Sequence, residues 1–251
     1  MSNVEWLKAA REAAGYPSVP FPVERDWERL PNDYSPAQYV SDEVAAKPWY
    51  TNEPDFAHYF RRICAMRAKG FWLPPSVVEN PQRNPHGATG ITGQGAFWDL
   101  GPNPSATLVV TYKEHIAVAQ TAEGLFVLPG GMADYGEDRI QPEEAAETAA
   151  REAEEELGLR LPPRLLQPLD FISAEHPWNT DTAYAVDTAF RLHTTDLFDT
   201  RPHLAPQAPQ EIKSALWVAV SDVADFGLSE YHQELVAIAT RHLRAAVTVI
   251  V

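Results

Sequence analysis

Three glutamates near the middle of the chain have the spacing of a cation-binding site. The stretch AREAEEELGL (150–159) places four glutamates within five positions. On a helix that turns about 100° per residue, Glu152, Glu155 and Glu156 share an arc of roughly 100°, whereas Glu154 points away from them. Like charges on one helix face repel, and the dipole disfavours anions near the helix C-terminus. A hard divalent cation, Mg²⁺ or Mn²⁺, takes oxygen ligands and would neutralise this cluster.

An ordinary structural interpretation competes with the cation site. A glutamate run can be a solvated helix face, stabilised here by an ion pair between Arg151 and Glu155. The residues upstream favour the cation. The segment LPGGMADYGE leads from a strand through Gly130 and Gly131 towards Glu137. Glycines let the backbone approach a ligand closely and present its polar groups to that ligand.

Together these segments resemble the Nudix box, G-x5-E-x7-R-E-U-x-E-E-x-G-U, in which U is aliphatic. Gly131-x5-Glu137 matches the first half, and R151-E-A-x-E-E-x-G-L159 matches the second. Thirteen residues separate Glu137 from Arg151 where the family has seven, which leaves six extra residues. An alternative register uses Glu143, eight positions before Arg151, but it places Glu137 at the glycine position. We favour the first register, with an insertion at or near residues 138–143.

Segments outside the box resemble a narrower branch, the ADP-ribose pyrophosphatases. A relative of that branch forms the C-terminal domain of the ADP-ribose-gated melastatin-type cation channel. The segments that carry this resemblance are NPHGATGITGQGAFWDLGPN (84–103), PWNTDTAY (177–184) and EIKSALWV (211–218). The resemblance spans residues 80–245 and implies an α+β fold, a Nudix α/β/α sandwich with a mixed sheet. The implied reaction is hydrolysis of ADP-ribose to AMP and ribose 5-phosphate.

The resemblance also implies a role for each residue of the box. Mg²⁺ or Mn²⁺ would be held by Glu152, Glu155 and Glu156 together with a backbone carbonyl of Gly130 or Gly131, and Arg151 would orient the carboxylates. A further carboxylate could act as general base. Glu211, six residues before a strand tryptophan, is the first choice, and Glu175 is the second.

The segment PWNTD suggests contacts to the substrate. Asn179 and Asp181 could hold ribose hydroxyls, although an ordinary Asx turn before a strand explains them nearly as well. The branch usually has arginine where this chain has Trp178. That tryptophan either stacks on adenine or packs at the surface.

A change from a proline- and aromatic-rich composition to short β-rich runs predicts two regions, an N-terminal cap or substrate-binding region (1–95) and a catalytic domain (96–251). Helices are expected at 3–14, 54–69, 142–157 and 230–246. Strands are expected at 106–113, 115–122, 124–130, 165–173, 182–194 and 214–220. The glycine-rich segment GATGITGQGAFWDLG is expected either to form ordinary turns or to contact the ligand from the same loop. It does not fit a dinucleotide-binding loop, because no strand precedes it and no helix follows it.

The composition limits the possible partners. A formal net charge of -15 repels a phosphate backbone, so nucleic acid is not an expected partner. The single Cys64 excludes an internal disulfide, and no apolar run has the length of a membrane span, which predicts a cytoplasmic protein. Two alternative functions stay open. One is hydrolysis of another nucleoside diphosphate derivative, such as a nucleotide sugar or NADH, and the other is ADP-ribose sensing without turnover.

Overall fold

The computed structural model describes residues 3–48, 50, 56–136, 140–169 and 175–241. Its helices are α1 (Asn3–Ala13), α2 (Asp42–Ala45), α3 (Phe56–Ala68), α4 (Pro75–Glu79), α5 (Ala145–Leu157) and α6 (Glu230–Ala239). Its strands are β1 (Ala37–Val40), β2 (Ile91–Gly95), β3 (Gly101–Tyr112), β4 (His115–Thr121), β5 (Phe126–Val127), β6 (Gly130–Met132), β7 (Gln167–Pro168), β8 (Ala183–His193) and β9 (Ile212–Ala219). Within the described ranges, no helix has the length and apolar character needed to cross a bilayer.

The chain divides into two compact units. Unit 1 comprises residues 1–104, 135–142 and 173–186, and unit 2 comprises residues 105–134, 143–172 and 187–251. The chain therefore enters unit 1 three times. The predicted domain boundary after residue 95 stays a prediction, since a division by packing does not identify domains that fold independently.

A two-stranded parallel sheet in unit 1 corrects one expectation. Strands β1 and β2 pair in the register Ala37 with Ile91 and Gln38 with Thr92. The glycine-rich segment was expected to be turn or loop, yet it includes β2. Its glycines at 90, 93 and 95 have positive φ, and the backbone of residue 39 lies where a Cβ on Gly93 would be. Small residues here permit the close approach of two chains, which is why the segment resembles a turn in sequence.

Seven strands form the larger sheet, in the order β5-β4-β3-β8-β7, with β6 also paired to β3 and β9 to β4. Antiparallel pairing joins β4 to β9 and β3 to β6. Strand β3 is buried throughout and begins five residues before the predicted start at 106. The predicted strand 124–130 is two short pieces, β5 and β6. The core of unit 2 contains Val109, Ile116, Val118, Val218, Leu235 and Val236.

The boundaries of α5 follow from local chemistry. Pro142 precedes the helix, and Glu144 and Glu147 form a reciprocal capping box, so the helix begins three residues after the predicted start. The helix ends where Gly158 adopts a left-handed conformation, with φ 71°. Helix geometry predicts one apolar flank for this helix, which is buried at Ala149, Ala150, Ala153 and Leu157 and half-buried at Ala146. The predicted helix 230–246 is described only as far as α6, and residues 242–246 lie outside the described ranges.

Candidate active site

The carboxylates of α5 occupy two different environments, as their helical phases predict. Glu152 and Glu156 each have only 8% of their surface exposed. Glu154 instead pairs with Arg160, with 2.6 Å between its Oε1 and the arginine Nη2. Glu155 is half-exposed and accepts a 3.2 Å hydrogen bond from Nη1 of Arg151. Two buried acids and one accessible acid therefore lie together on unit 2.

The two glycines of β6 lie directly against the buried carboxylates. The backbone N–H of Gly130 donates to Oε2 of Glu156 at 3.2 Å. A Cβ added to Gly131 would lie 2.4 Å from Oε1 of Glu152. Because glycine has no side chain, the Glu152 carboxylate can contact the β6 backbone. The structure thus brings together Gly130, Gly131, Glu152 and Glu156, the residues that the resemblance to the Nudix box grouped.

Arg151 links the carboxylates on both sides of it. Its Nη1 donates to Glu152 at 2.8 Å, and its Nη2 donates to Glu143 at 2.8 Å and to the backbone carbonyl of Met132 at 2.9 Å. Burial lowers its pKa, but the neighbouring carboxylates, Glu143 first, raise that pKa by more, so the net shift is upward. The guanidinium thus holds the end of β6, the start of α5 and the Glu152 side chain in one arrangement.

Glu143 is another carboxylate that contacts this arginine, and two hydrogen bonds with Asp134 hold it at the site. The Glu143 N–H donates to the carbonyl of Asp134 at 2.8 Å, and the Asp134 N–H donates to the Glu143 carboxylate at 3.1 Å. Just beyond this closure, Tyr135 forms an antiparallel bridge with Pro142. Residues 135–142 belong to unit 1, whereas Asp134 and Glu143 belong to unit 2.

This geometry bears on the two registers of the box. Glu143 lies eight positions before Arg151 and binds it through both Nε, at 3.2 Å, and Nη2. In this arrangement the extra residues lie between Gly131 and Glu143, not between the glutamate and the arginine. Glu137, the leading glutamate of the register we favoured, lies outside the described residues. The eight-residue separation from Arg151 was the available sequence signal for Glu143.

Burial controls the charge of the two inner carboxylates. Burial raises the pKa of Glu152 to about 7, against the opposing effect of Arg151. It raises the pKa of Glu156 to about 8, with further upward contributions from Glu152 and Glu211. Two buried acids with too little compensating positive charge form a site whose electrostatics favour a bound cation.

The oxygen donors of this site are chemically suited to a hard divalent cation. The carboxylate oxygens of Glu152, Glu155 and Glu156 and the carbonyls of β6 are the ligand type that Mg²⁺ and Mn²⁺ prefer. Glu155 would first have to release Arg151. Among the described residues, no group of three or more His, Cys, Asp or Glu side chains already has the arrangement of a metal site.

Glu211 follows a loop that is bonded to the end of α5. The N–H groups of Ala205 and Gln207 donate to the carbonyls of Leu157 and Glu155 at 2.9 and 2.7 Å. The following residues lead to Glu211, which is exposed and close enough to Glu156 to raise its pKa. The last turn of the helix thus binds the loop that carries the predicted base.

The other predicted residues lie in unit 1 and have structural contacts. Glu175, the second choice as base, pairs with Arg25 through both of its carboxylate oxygens. Asn179 Oδ1 accepts the N–H of Ala185 at 2.9 Å, so this amide fixes the backbone at the start of β8. Trp178 lies in an aromatic cluster with Phe97 and His176.

Asp181 is held from two sides. Its Oδ2 accepts a 2.6 Å hydrogen bond from Tyr34, and its Oδ1 accepts two hydrogen bonds from Thr89, from the N–H at 2.6 Å and from the hydroxyl at 2.9 Å. These partners are distant in sequence, so the bonds are tertiary contacts of the Asp181 carboxylate and not the local Asx turn expected as the alternative to a ribose contact. Ribose binding by Asn179 and Asp181, and adenine stacking by Trp178, stay predictions.

Comparison with known families defines the class of protein. The NUDIX domain family matches residues 102–237, a range that contains β6, α5 and the carboxylate cluster. The chain therefore belongs to the Nudix family of hydrolases, which generally use divalent metals such as Mg²⁺ or Mn²⁺.

Individual relatives of this chain have low sequence identity to it. The chain is 24% identical over 258 residues to "ADP-ribose pyrophosphatase, mitochondrial" of Rattus norvegicus, an alignment that covers 88% of this chain and 70% of the rat protein. It is 30% identical over 163 residues to "Putative nudix hydrolase 6" of Caenorhabditis elegans, which covers 59% of this chain and 60% of the nematode protein. A solved structure, the NUDIX domain of Shewanella oneidensis NrtR complexed with ADP ribose, is 15% identical with a TM-score of 0.45, and the match covers 68% of this chain and 99% of that chain.

Proposed function

We propose that this protein hydrolyses the pyrophosphate bond of ADP-ribose, with Mg²⁺ or Mn²⁺, to give AMP and ribose 5-phosphate. The carrying observation is the pair of buried carboxylates, Glu152 and Glu156, against the Gly130–Gly131 backbone within the Nudix domain. The name of the rat relative and the sequence resemblance to the ADP-ribose pyrophosphatase branch, including the melastatin-type channel domain, support the choice of substrate.

The residues divide the work by position. Glu152, Glu155 and Glu156, with a carbonyl of Gly130 or Gly131, would hold the cation, which supplies charge neutralisation for the diphosphate. Arg151 orients Glu152, and Glu143 holds Arg151 in place. Glu211, exposed beside Glu156, would accept the proton from the attacking water.

Purified protein incubated with ADP-ribose and either Mg²⁺ or Mn²⁺ should yield equal amounts of AMP and ribose 5-phosphate by chromatography. Parallel reactions with nucleotide sugars and NADH test the substrate class, and we expect ADP-ribose to have the highest kcat/KM. Faster turnover of a nucleotide sugar or NADH would reassign the substrate. Tight ADP-ribose binding in calorimetry without AMP release under any metal would instead indicate a sensor.

We also propose a cytoplasmic location and a substrate-binding role for the N-terminal region. The name of the rat relative includes the word mitochondrial, so location needs a direct test by fluorescence microscopy of the tagged chain. Co-localisation of the tag with a mitochondrial marker would refute the cytoplasmic assignment.

A further inference from the structure

Unit 1 contains a cavity that none of the box residues lines. Its volume is about 560 Å³, within the range of roughly 300–1,000 Å³ typical of small-molecule sites. Aromatic side chains, two amides and one guanidinium contribute to its lining: Trp27, Tyr34, Tyr59, Gln38, Gln82 and Arg83. This combination provides flat apolar faces, hydrogen-bonding edges and a single cation.

The aromatic walls are fixed before any ligand arrives. Trp27 donates its ring N–H to the carbonyl of Asn84 at 2.9 Å. Tyr34 donates its hydroxyl to Asp181 and accepts the N–H of Gly90 at 3.1 Å. Because both rings are anchored, a ligand that stacks on them does not have to order them first.

The polar groups around the cavity differ in availability. Asp181 also lines the cavity, but Tyr34 and Thr89 already occupy its carboxylate, so it is a poor acceptor for a cationic ligand. Arg83 is exposed, and its guanidinium lies 5.6 Å from the centroid of the Trp27 ring. Within the described residues, this guanidinium has neither an ion pair nor a hydrogen bond to another side chain. The cavity therefore pairs an aromatic wall with an available positive charge.

We propose that this cavity binds an adenosine 5′-phosphate group, with the base against the aromatic walls and the phosphate facing Arg83. Bases stack on aromatic side chains, and a guanidinium binds phosphate through paired hydrogen bonds. A glutamine amide matches the donor and acceptor edge of adenine, which Gln38 and Gln82 supply. The group could belong to the substrate of the proposed reaction or to a separate nucleotide, and the site does not depend on hydrolysis.

Calorimetry with AMP in the presence of EDTA tests the site without turnover, so its outcome is separate from that of the hydrolysis assay. We expect the wild-type protein to bind AMP more tightly than adenosine or ribose 5-phosphate. Trp27→Leu removes an aromatic face and should weaken AMP binding by about tenfold or more. Arg83→Met, a change at an exposed position, should reduce the affinity for AMP to near that for adenosine.

Trp98→Leu is the matched control, since Trp98 is an exposed tryptophan of unit 1 outside the cavity lining. It should bind AMP as the wild type does. Thermal unfolding of each variant separates loss of the site from loss of the fold. Undetectable AMP binding by the wild type, or unchanged binding by folded Arg83→Met together with Trp27→Leu, would overturn the proposal.

Inhibition kinetics distinguish the two sources of the bound group. If the cavity takes the adenosine half of the substrate, Trp27→Leu should raise KM and weaken competitive inhibition of hydrolysis by AMP. If it takes a separate nucleotide, Trp27→Leu should weaken AMP binding and leave KM unchanged. Either result requires the cavity to bind AMP.

Discussion

At the scale of single residues, the site depends on acids placed where their charge is unfavourable. Glu152 and Glu156 are buried and adjacent on α5, and burial raises the pKa of both. Glu154 shows the ordinary alternative, because it pairs with the exposed Arg160 just beyond the end of the same helix. The contrast gives a matched test of which glutamates serve the reaction.

Glu156→Gln should reduce hydrolysis by about 100-fold or more, because an amide removes a charged ligand from the proposed cation site. The folded protein should be at least as stable as the wild type when metal is absent, since the change removes a buried charge beside Glu152. Glu154→Gln is the control and should retain activity. Steady-state kinetics and chemical unfolding in EDTA measure both effects. Near-normal turnover by Glu156→Gln would show that Glu156 is not a ligand of a catalytic cation.

Glu143→Gln should lower kcat by about 10- to 100-fold and weaken Mn²⁺ binding, because Arg151 loses its closest ion-pair partner outside the cluster. Asp134→Asn is the control. Asp134 lies 3.7 Å from Arg151 and has an 81% exposed side chain, so its charge matters little. Equal effects of the two substitutions on Mn²⁺ affinity, measured by titration, would show that Glu143 does not position Arg151.

At the scale of elements, the C-terminus of α5 fixes the loop that carries Glu211. Gly158 ends the helix in a left-handed conformation, and a Cβ there would lie 2.2 Å from the carbonyl oxygen of Ala205. The N–H of Ala205 also donates to the carbonyl of Leu157. The helix end, the loop and the candidate base are therefore coupled through one close backbone contact.

Gly158→Ala should destabilise the fold by about 3 kcal/mol, combining the strain of a left-handed alanine with the clash against Ala205. Gly227→Ala is the matched control. Gly227 has φ 67°, and a Cβ there would meet nothing within 4 Å, so we expect a loss of only about 1 kcal/mol. Chemical unfolding compares the two variants. Equal losses of stability in the two variants would mean that the loop containing Ala205 moves away from the added methyl group at little cost. Hydrolysis would then be preserved in Gly158→Ala.

At the scale of the whole molecule, acid should weaken the fold through a buried histidine. Nδ1 of His232 on α6 is buried and has no hydrogen-bond partner among the described residues. Burial lowers its pKa to about 4 from the ordinary value of 6.5. The folded state binds the proton less readily than the unfolded state, so this contribution to stability is complete above pH 6.5 and is lost as the pH falls towards 4.

As the pH falls from about 7.5 to about 5, His232 becomes protonated in the unfolded chain, which should lower the free energy of unfolding by about 2 kcal/mol. His232→Gln should lack this component, and His203→Gln, at an exposed position, should retain it. The measurement is the difference between each variant and the wild type at the two pH values, which cancels the titration of other groups. A difference that stays constant with pH would refute the assignment.

Much of the site was predictable from the chain itself. The phase of Glu152, Glu155 and Glu156 on α5, and the separation of Glu154 from them, follow from helix geometry alone. The glycines before the helix indicated a backbone that can approach a ligand closely. Local spacing determines these features because every residue involved lies within one helix or the strand that precedes it.

Tertiary structure decided what depends on contacts between distant segments. The closure of Asp134 on Glu143 brings Glu143 to Arg151, and no local pattern shows whether an inserted segment forms part of a helix or leaves the main path of the chain. Tertiary packing also places Tyr34 and Thr89 where they hydrogen-bond to the Asp181 carboxylate. It assembles the unit 1 cavity from residues as far apart in sequence as Trp27 and Thr182. Periodicity reports which face of an element is buried, but the partner on that face is selected by the free energy of the whole fold.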